Sequence, residues 1–374
     1  MRIGLDYDNL DSDIWFTSPT VPPLPQAPTN CFERDEIITQ SLDQLVDLTS
    51  VILSGAVGIG KTIMALTILY HSRVKAKFGD NRHFMRCDNL VNSSESFLQR
   101  LSSEIGFSPT KSMQLLRPRL ARCPPLLLVL DSVDCVLDPL AAESAKIFTM
   151  IEEIRQYKHV CILATSRMAI NVPGFHTIEV TTLSREGARD TFYSLCHLKR
   201  SSAIDDVIEN LDFHPLSINL LATAVSDHGW DEPKLLQDWG GRAGLLRTDC
   251  RRSLEAGIES ALGSPTIQSL GPVARETLEA ISAYPCGVEE TRVGRMFPTM
   301  GSVAEAVNVL CEFHLVDRHD GFVKILSPFR LYFLERALTI FHPHEDGENR
   351  NHSGVKQEEH DDRCHEARAG SSPN

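Results

Sequence analysis

Short apolar runs alternate with amphipathic stretches along the first half of the chain. The runs at 50–54, 83–87, 126–130, 160–164 and 176–180 have the length and apolar content of strands. Between them, 35–47, 60–73, 93–105, 111–121 and 141–157 repeat apolar positions at helical spacing. Strands alternating with helices predict an α/β fold, a mostly parallel sheet with helices on both faces. The run 126–130 is apolar at every position, as a central strand buried on both faces requires.

After about residue 183 the strand signal fades. Ser184 reads as a helix N-cap, with Glu186 and Asp190 near the helix's positive end. Helical periodicity continues over 203–211, 215–227, 232–239 and 251–262, then near 272–283, 288–297, 302–313 and 328–340. Asp320-Gly321, between the apolar flanks of 315–325, predicts a hairpin. Helices followed by one hairpin suggest a winged-helix module.

The ends differ in composition. Residues 1–29 begin acidic and continue with Pro19, Pro22, Pro23, Pro25 and Pro28, which favour an extended, flexible leader. Residues 342–374 hold eight acidic and four basic side chains and almost nothing large and apolar, so a disordered polar tail is expected. The expected division is leader 1–29, α/β domain 30–183, helical domain 184–262, winged-helix-like domain 263–341 and tail 342–374.

Charge and cysteine usage narrow the function classes. The 374 residues carry a net charge of -13, which argues against sequence-independent binding to nucleic acid. The block 266–341 has nine acidic and seven basic side chains and lacks a basic footprint too. No apolar run approaches the ~20 residues that span a bilayer. The N-terminus has no secretory apolar core. The ten cysteines lie at least twelve residues apart, without zinc-site spacing. A cytoplasmic protein with reduced thiols and no membrane or nucleic-acid partner is expected.

The strongest chemical signal is Gly55-Ala56-Val57-Gly58-Ile59-Gly60-Lys61-Thr62, the P-loop pattern, after a strand and opening a helix. Gly55, Gly58 and Gly60 let the backbone curl so that N–H groups face phosphate oxygens. Lys61 supplies positive charge to the β- and γ-phosphates, and the Thr62 hydroxyl can ligate Mg²⁺. Ile59 in the loop and Ile63 in the first helical turn join these as nucleotide-binding candidates. Asp131 ends the apolar strand, where a Walker B aspartate holds Mg²⁺. Asp134 can orient the attacking water or complete the metal shell; two carboxylates at a strand end can also be ordinary helix caps. Arg167, closing Thr165-Ser166-Arg167 at the end of the next strand, can reach a γ-phosphate.

This order, followed by a helical region with His214-Pro215-Leu216-Ser217-Ile218, resembles the NB-ARC/NACHT nucleotide-binding modules of the STAND class. These are the switch ATPases of NOD-like and plant-resistance-like receptors, and the fungal versions look most similar. The resemblance covers roughly 22–340. It implies that Pro215 lies against adenine and ribose and that Arg34, in Cys31-Phe32-Glu33-Arg34-Asp35, contacts the base. Tyr284-Pro285-Cys286-Gly287 resembles the family's F-P-x-G turn. Glu33 stands where the family usually has glycine, and Ile325-Leu326-Ser327 where it has M-H-D; His214 is the candidate to contact the nucleotide in place of that missing histidine, the alternative being a satisfied structural residue, as a His before Pro in a helix–helix turn more often is.

The implied function is an ATP/ADP-binding signalling switch with slow or regulated hydrolysis. Lys61, Asp131, Asp134 and Arg167 are its catalytic candidates, and Thr62 and Asp131 its Mg²⁺ ligands. Self-association in the ATP state and unidentified protein partners are expected. The alternative is a non-hydrolysing adaptor that keeps nucleotide as a structural ligand.

Overall fold

A computed structural model describes residues 21–29, 31–88, 93–170, 172–240, 251–296 and 302–341. Residues 21–29 form no helix or strand, and the expected tail 342–374 lies outside the described residues, as does the start of the leader. The elements of the first half are α1 (Asp35–Val46), β1 (Ser50–Ser54), α2 (Lys61–Tyr70), α3 (Ser72–Phe78), β2 (Arg82–Arg86), α4 (Ser94–Glu104), α5 (Met113–Arg122), β3 (Leu126–Asp131), α6 (Asp134–Leu137), α7 (Ser144–Arg155), β4 (Val160–Ser166) and β5 (Phe175–Glu179). Then come α8 (Arg185–Leu195), α9 (Ser202–Glu209), α10 (Pro215–His228), α11 (Glu232–Gly240), α12 (Arg251–Leu262), α13 (Pro265–Ser269) and α14 (Pro272–Ser282). The chain continues with β6 (Val288–Glu289), α15 (Glu290–Met296), α16 (Val303–Glu312), β7 (Asp317–His319), β8 (Phe322–Lys324) and α17 (Ser327–Phe341). One compact unit ends at Glu335; of the next, Arg336–Phe341 at the close of α17 are described.

All five expected strands form, in the order β2-β3-β4-β1-β5, every neighbouring pair parallel. β1, β3 and β4 are buried along their whole length, which their apolar content allows. One face packs with Leu42, Met64 and Ile68, the other with Phe97, Leu116 and Ile147. Because β4 lies between β1 and β3, the carboxyl ends of these three strands stand side by side. Ser54 pairs with Ser166, and Leu130 with Ala164. Ligands of open α/β sheets gather at that edge.

Short elements escape the periodicity. The helix expected over 60–73 breaks at His71, whose extended backbone (ψ 143°) and side-chain bond to the Arg73 amide start α3 afresh. α6, α13 and β6 are each too short to show a period. The expected hairpin is present: β7 and β8 pair antiparallel through Asp320 and Gly321, with φ of 51° and 80°. Two left-handed residues in succession suit the twist of a two-residue hairpin. β6 completes a second sheet in the order β6-β8-β7.

The C-terminal half buries Leu254, Ile258, Leu278, Leu310, Phe329 and Phe333 in one apolar cluster, which also takes in Ala56, Val57 and Met168. Two of these last three belong to the P-loop and the third follows β4, so the loop's apolar side chains serve a core built mainly by later residues. Among the described residues no helix is long and apolar enough to cross a membrane.

Candidate functional site

The P-loop leaves β1 at Ser54 and enters α2 at Lys61. Gly58 (φ 74°) and Gly60 (φ 98°) take left-handed backbone that glycine adopts without strain. Gly58 is also needed for space: a Cβ there would stand 2.8 Å from His214 Cε1 and 2.9 Å from Leu216 Cβ. Lys61 Nζ donates to the carbonyls of Gly55 and Ala56, each at 2.7 Å, within the loop itself. Burial pushes its pKa down to about 8; Asp134 and Asp131 oppose the shift, while Arg167 adds to it.

The acidic strand end lies directly beside the loop. Thr62 Oγ1 donates to Asp131 Oδ1 at 2.8 Å, joining the start of α2 to the end of β3. Thr165, on β4, donates to the same oxygen at 2.7 Å. Its hydroxyl also accepts from the Ser132 amide at 2.8 Å, holding Ser132 in left-handed backbone (φ 58°). A hydroxyl and one carboxylate are hard oxygen donors of the kind that bind Mg²⁺ together with phosphate. Among the described residues no group of three or more His, Cys, Asp or Glu gathers to form an all-protein metal cage.

Asp134 and Arg167 face each other. The Arg167 amide donates to Asp134 Oδ1 at 2.9 Å and its Nε to Oδ2 at 2.7 Å. The rest of the guanidinium donates to Cys135 Sγ at 3.1 Å and to Ser260 Oγ on α12 at 2.8 Å. In this arrangement Asp134 spends both oxygens on Arg167, and Arg167 is turned to its own domain and α12.

A cleft of about 450 Å³ opens on the other side of the loop. Gly58, Gly60, Ile63, Arg34, Pro215 and Leu216 are among its walls, and Ile59 also lines it. Arg34 is nearly buried and donates to the Thr181 carbonyl at 2.8 Å, with longer contacts to Thr182 and Ile59 carbonyls at 3.4 Å. It ties the exit of β5 to the P-loop while bordering the cleft. Glu33 adopts φ 44°, a conformation that suits glycine, and its carboxylate accepts from the Ser184 hydroxyl at the start of α8. A side chain at Gly187 would collide with that carboxylate.

His214 has a structural part in this arrangement. It does not border the cleft: its side chain is wholly buried. Nδ1 accepts from the amide and hydroxyl of Ser217, so the residue is the N-cap of α10. Nε2 therefore carries the proton and donates to the Val57 carbonyl at 2.8 Å. Capping turns the ring inward, whereas Pro215 at the first helical position faces the cleft. Burial pushes the His214 pKa down to about 4. Next to it the Leu216 amide donates to the Gly58 carbonyl at 3.2 Å, and Gly257 of α12 leaves room for Val57.

Three further residues lie in or beside the segments read from the sequence but take no role from that reading. Thr165 is one. Another is His314 (φ 50°), whose Nε2 donates to Ser54 Oγ at 3.1 Å, the hydroxyl in turn donating to the Met168 carbonyl at 3.3 Å. The third is Asp212, which accepts from Lys324 Nζ at 2.8 Å and from the Ser327 amide at 2.5 Å. The place of the missing M-H-D is thus tied to the turn before α10.

No family model and no curated protein matches the sequence. Among solved structures, the chain is similar to the Walker-type ATPase of Pyrococcus abyssi, with TM-score 0.55 and 13% identity over 84% of this chain and 99% of that one. A STAND protein with a tetratricopeptide repeat sensor from Pyrococcus horikoshii matches with TM-score 0.37 and 14% identity, over 87% of this chain and 44% of that one. The Thermotoga maritima RuvB Holliday junction branch migration motor matches with TM-score 0.38 and 15% identity, over 78% of this chain and 90% of that one. Identities this low speak to fold alone, and the parallel sheet of this chain is that of the P-loop NTPase α/β fold.

Proposed function

We propose that this chain binds adenine nucleotide and Mg²⁺ as a STAND-type switch of the NB-ARC/NACHT kind, with slow or regulated ATP hydrolysis. The observation that carries the reading is the convergence of Lys61, Thr62 and Asp131 at one point of the P-loop, with a cleft of nucleotide size beside it. Lys61 exchanges the carbonyls of Gly55 and Ala56 for phosphate oxygens. Thr62 and Asp131 hold the metal, and Thr165 keeps the Asp131 carboxylate aimed at it. Mg²⁺, when bound, supplies charge that neutralises the phosphate tail. Pro215 and Ile63 border the base and Arg34 steadies that wall.

The closed packing described above supports a resting state. α10 and α12 press on the loop through Leu216, His214 and Gly257, so a change at the phosphates is felt by both helices. Residues 30–183, 184–262 and 263–341 are taken as nucleotide, helical and winged-helix-like domains, the last on the order α14-β6-α15-α16-β7-β8. α16 exposes Glu305 and Glu312 and carries no basic side chain, which favours packing over contact with nucleic acid. Self-association in the ATP state completes the reading.

The non-hydrolysing adaptor is favoured by one observation: Asp134, the candidate to position water, has both oxygens taken by Arg167. Nucleotide retained on the purified chain, its exchange rate and its turnover decide between the two. The switch expects exchange with measurable phosphate release, and sizing that differs between ADP and a non-hydrolysable ATP analogue. Identical elution in both nucleotides, with no turnover, rejects it.

A further inference from the structure

Arg167 sits at the end of β4 with 14% of its side chain exposed. Its Nε edge is spent on Asp134, while Nη1 crosses to Ser260 on α12. The corner that carries Ser260 is itself fixed. Just past it, Ser264 Oγ and Thr266 Oγ1 donate to the Asp138 carboxylate at 2.5 and 2.6 Å, and the Thr266 amide adds a contact at 3.3 Å. Asp138 is 1% exposed and also takes the Leu140 amide at 2.9 Å. It directly follows α6, the short helix that Asp134 opens. The segment 134–138 therefore meets the α12–α13 corner twice, directly through Asp138 and indirectly through Arg167.

The geometry points to Ser260 as a positioning residue that parks Arg167 on Asp134. This deepens the nucleotide reading and rests on it. A guanidinium is a rigid planar fork, so its edges cannot turn independently. When Arg167 swings toward a phosphate tail, Nε leaves Asp134 Oδ2 and Nη1 leaves Ser260 in the same motion. One movement frees Asp134 Oδ2, the carboxylate oxygen that can position water while the Arg167 amide still holds Oδ1, and detaches one of the two ties on the α12–α13 corner. The Asp138 tie does not involve Arg167, so the corner loosens without coming away.

Full-length protein with Ser260→Ala tests this. Arg167 loses a charge-assisted bond to an exposed hydroxyl, which raises the fraction of molecules with Arg167 free by about fivefold. Affinity for a non-hydrolysable ATP analogue should rise by about that factor, while ADP affinity stays at the wild-type value. Ser260→Thr, which keeps the hydroxyl, should restore the wild-type ratio. In an Arg167→Ala background, Ser260→Ala should have no further effect on the ratio. Equal changes in ADP and ATP-analogue affinity, or an effect that persists without Arg167, overturns the assignment. Wild-type protein that binds neither nucleotide instead sinks the nucleotide site itself; wild-type binding with an unaltered preference in Ser260→Ala sinks only the role of Ser260.

Discussion

His214 Nε2 donates to the carbonyl of Val57, 2.8 Å away, so a wholly buried imidazole pins the start of α10 to the P-loop. The bond requires a neutral ring: Nδ1 accepts from Ser217 and only Nε2 carries a proton. The folded protein therefore resists protonation that the unfolded chain undergoes freely.

Acid sensitivity follows from that difference. The ring's pKa is 6.5 unperturbed and about 4 when buried. Above pH 6.5 both states are neutral and nothing is lost. As pH falls below 6.5 the unfolded chain takes up a proton that the folded chain refuses, so stability drops until about pH 4. The loss attributable to His214 should reach about 2 kcal/mol by pH 5. Urea unfolding of wild type and His214→Asn at pH 7 and pH 5 measures it. Asparagine keeps a capping oxygen without the titration, and an equal acid loss in both proteins would count against this origin.

Lys61→Ala should abolish measurable binding of both ADP and ATP, and unchanged affinity by isothermal titration refutes the site. The wild-type pH profile gives an independent check. With a pKa of about 8, Lys61 is charged below that pH and loses its proton above it. Nucleotide affinity should therefore fall as pH rises past 8, approaching roughly tenfold per pH unit. A flat profile from pH 7 to 9.5 would remove Lys61 from the phosphate contact.

Asp131→Ala should leave ADP binding within about threefold of wild type while Mg²⁺-dependent phosphate release falls by about a hundredfold or more. Thr165→Val removes the bond that aims Asp131 and should weaken the Mg²⁺ dependence by roughly tenfold. Magnesium titrations of turnover distinguish the two variants. Phosphate release unaltered in Asp131→Ala excludes the metal role.

Gly257 and Val57 form a lock-and-notch pair. A Cβ added at Gly257 collides with Val57 Cγ1 but would lie 3.8 Å from Val57 Cβ, an ordinary contact. Gly257→Ala should cost about 1–3 kcal/mol and speed nucleotide exchange, because α12 can no longer sit on the loop. Adding Val57→Ala removes the colliding methyl and should recover part of that loss. Strictly additive costs in a double-mutant cycle would show that the two residues do not meet.

The sequence by itself determined the sheet and the loop. Strand period, the all-apolar run at 126–130 and the glycine spacing of 55–62 are local patterns, legible because backbone geometry links only near neighbours. The positions of Asp131 and Arg167 at adjacent strand ends followed from the same reasoning. What the tertiary structure alone decided is where side chains spend their hydrogen bonds. His214 turned inward to cap α10 and grip Val57; Arg167 closed on Asp134 and reached Ser260; His314 reached Ser54 at the end of β1, and Asp212, before α10, took Lys324 of β8. These partners stand tens to hundreds of residues apart. Their choices are made by packing and by the cost of leaving buried polar groups unpaired, which no window of neighbouring residues contains.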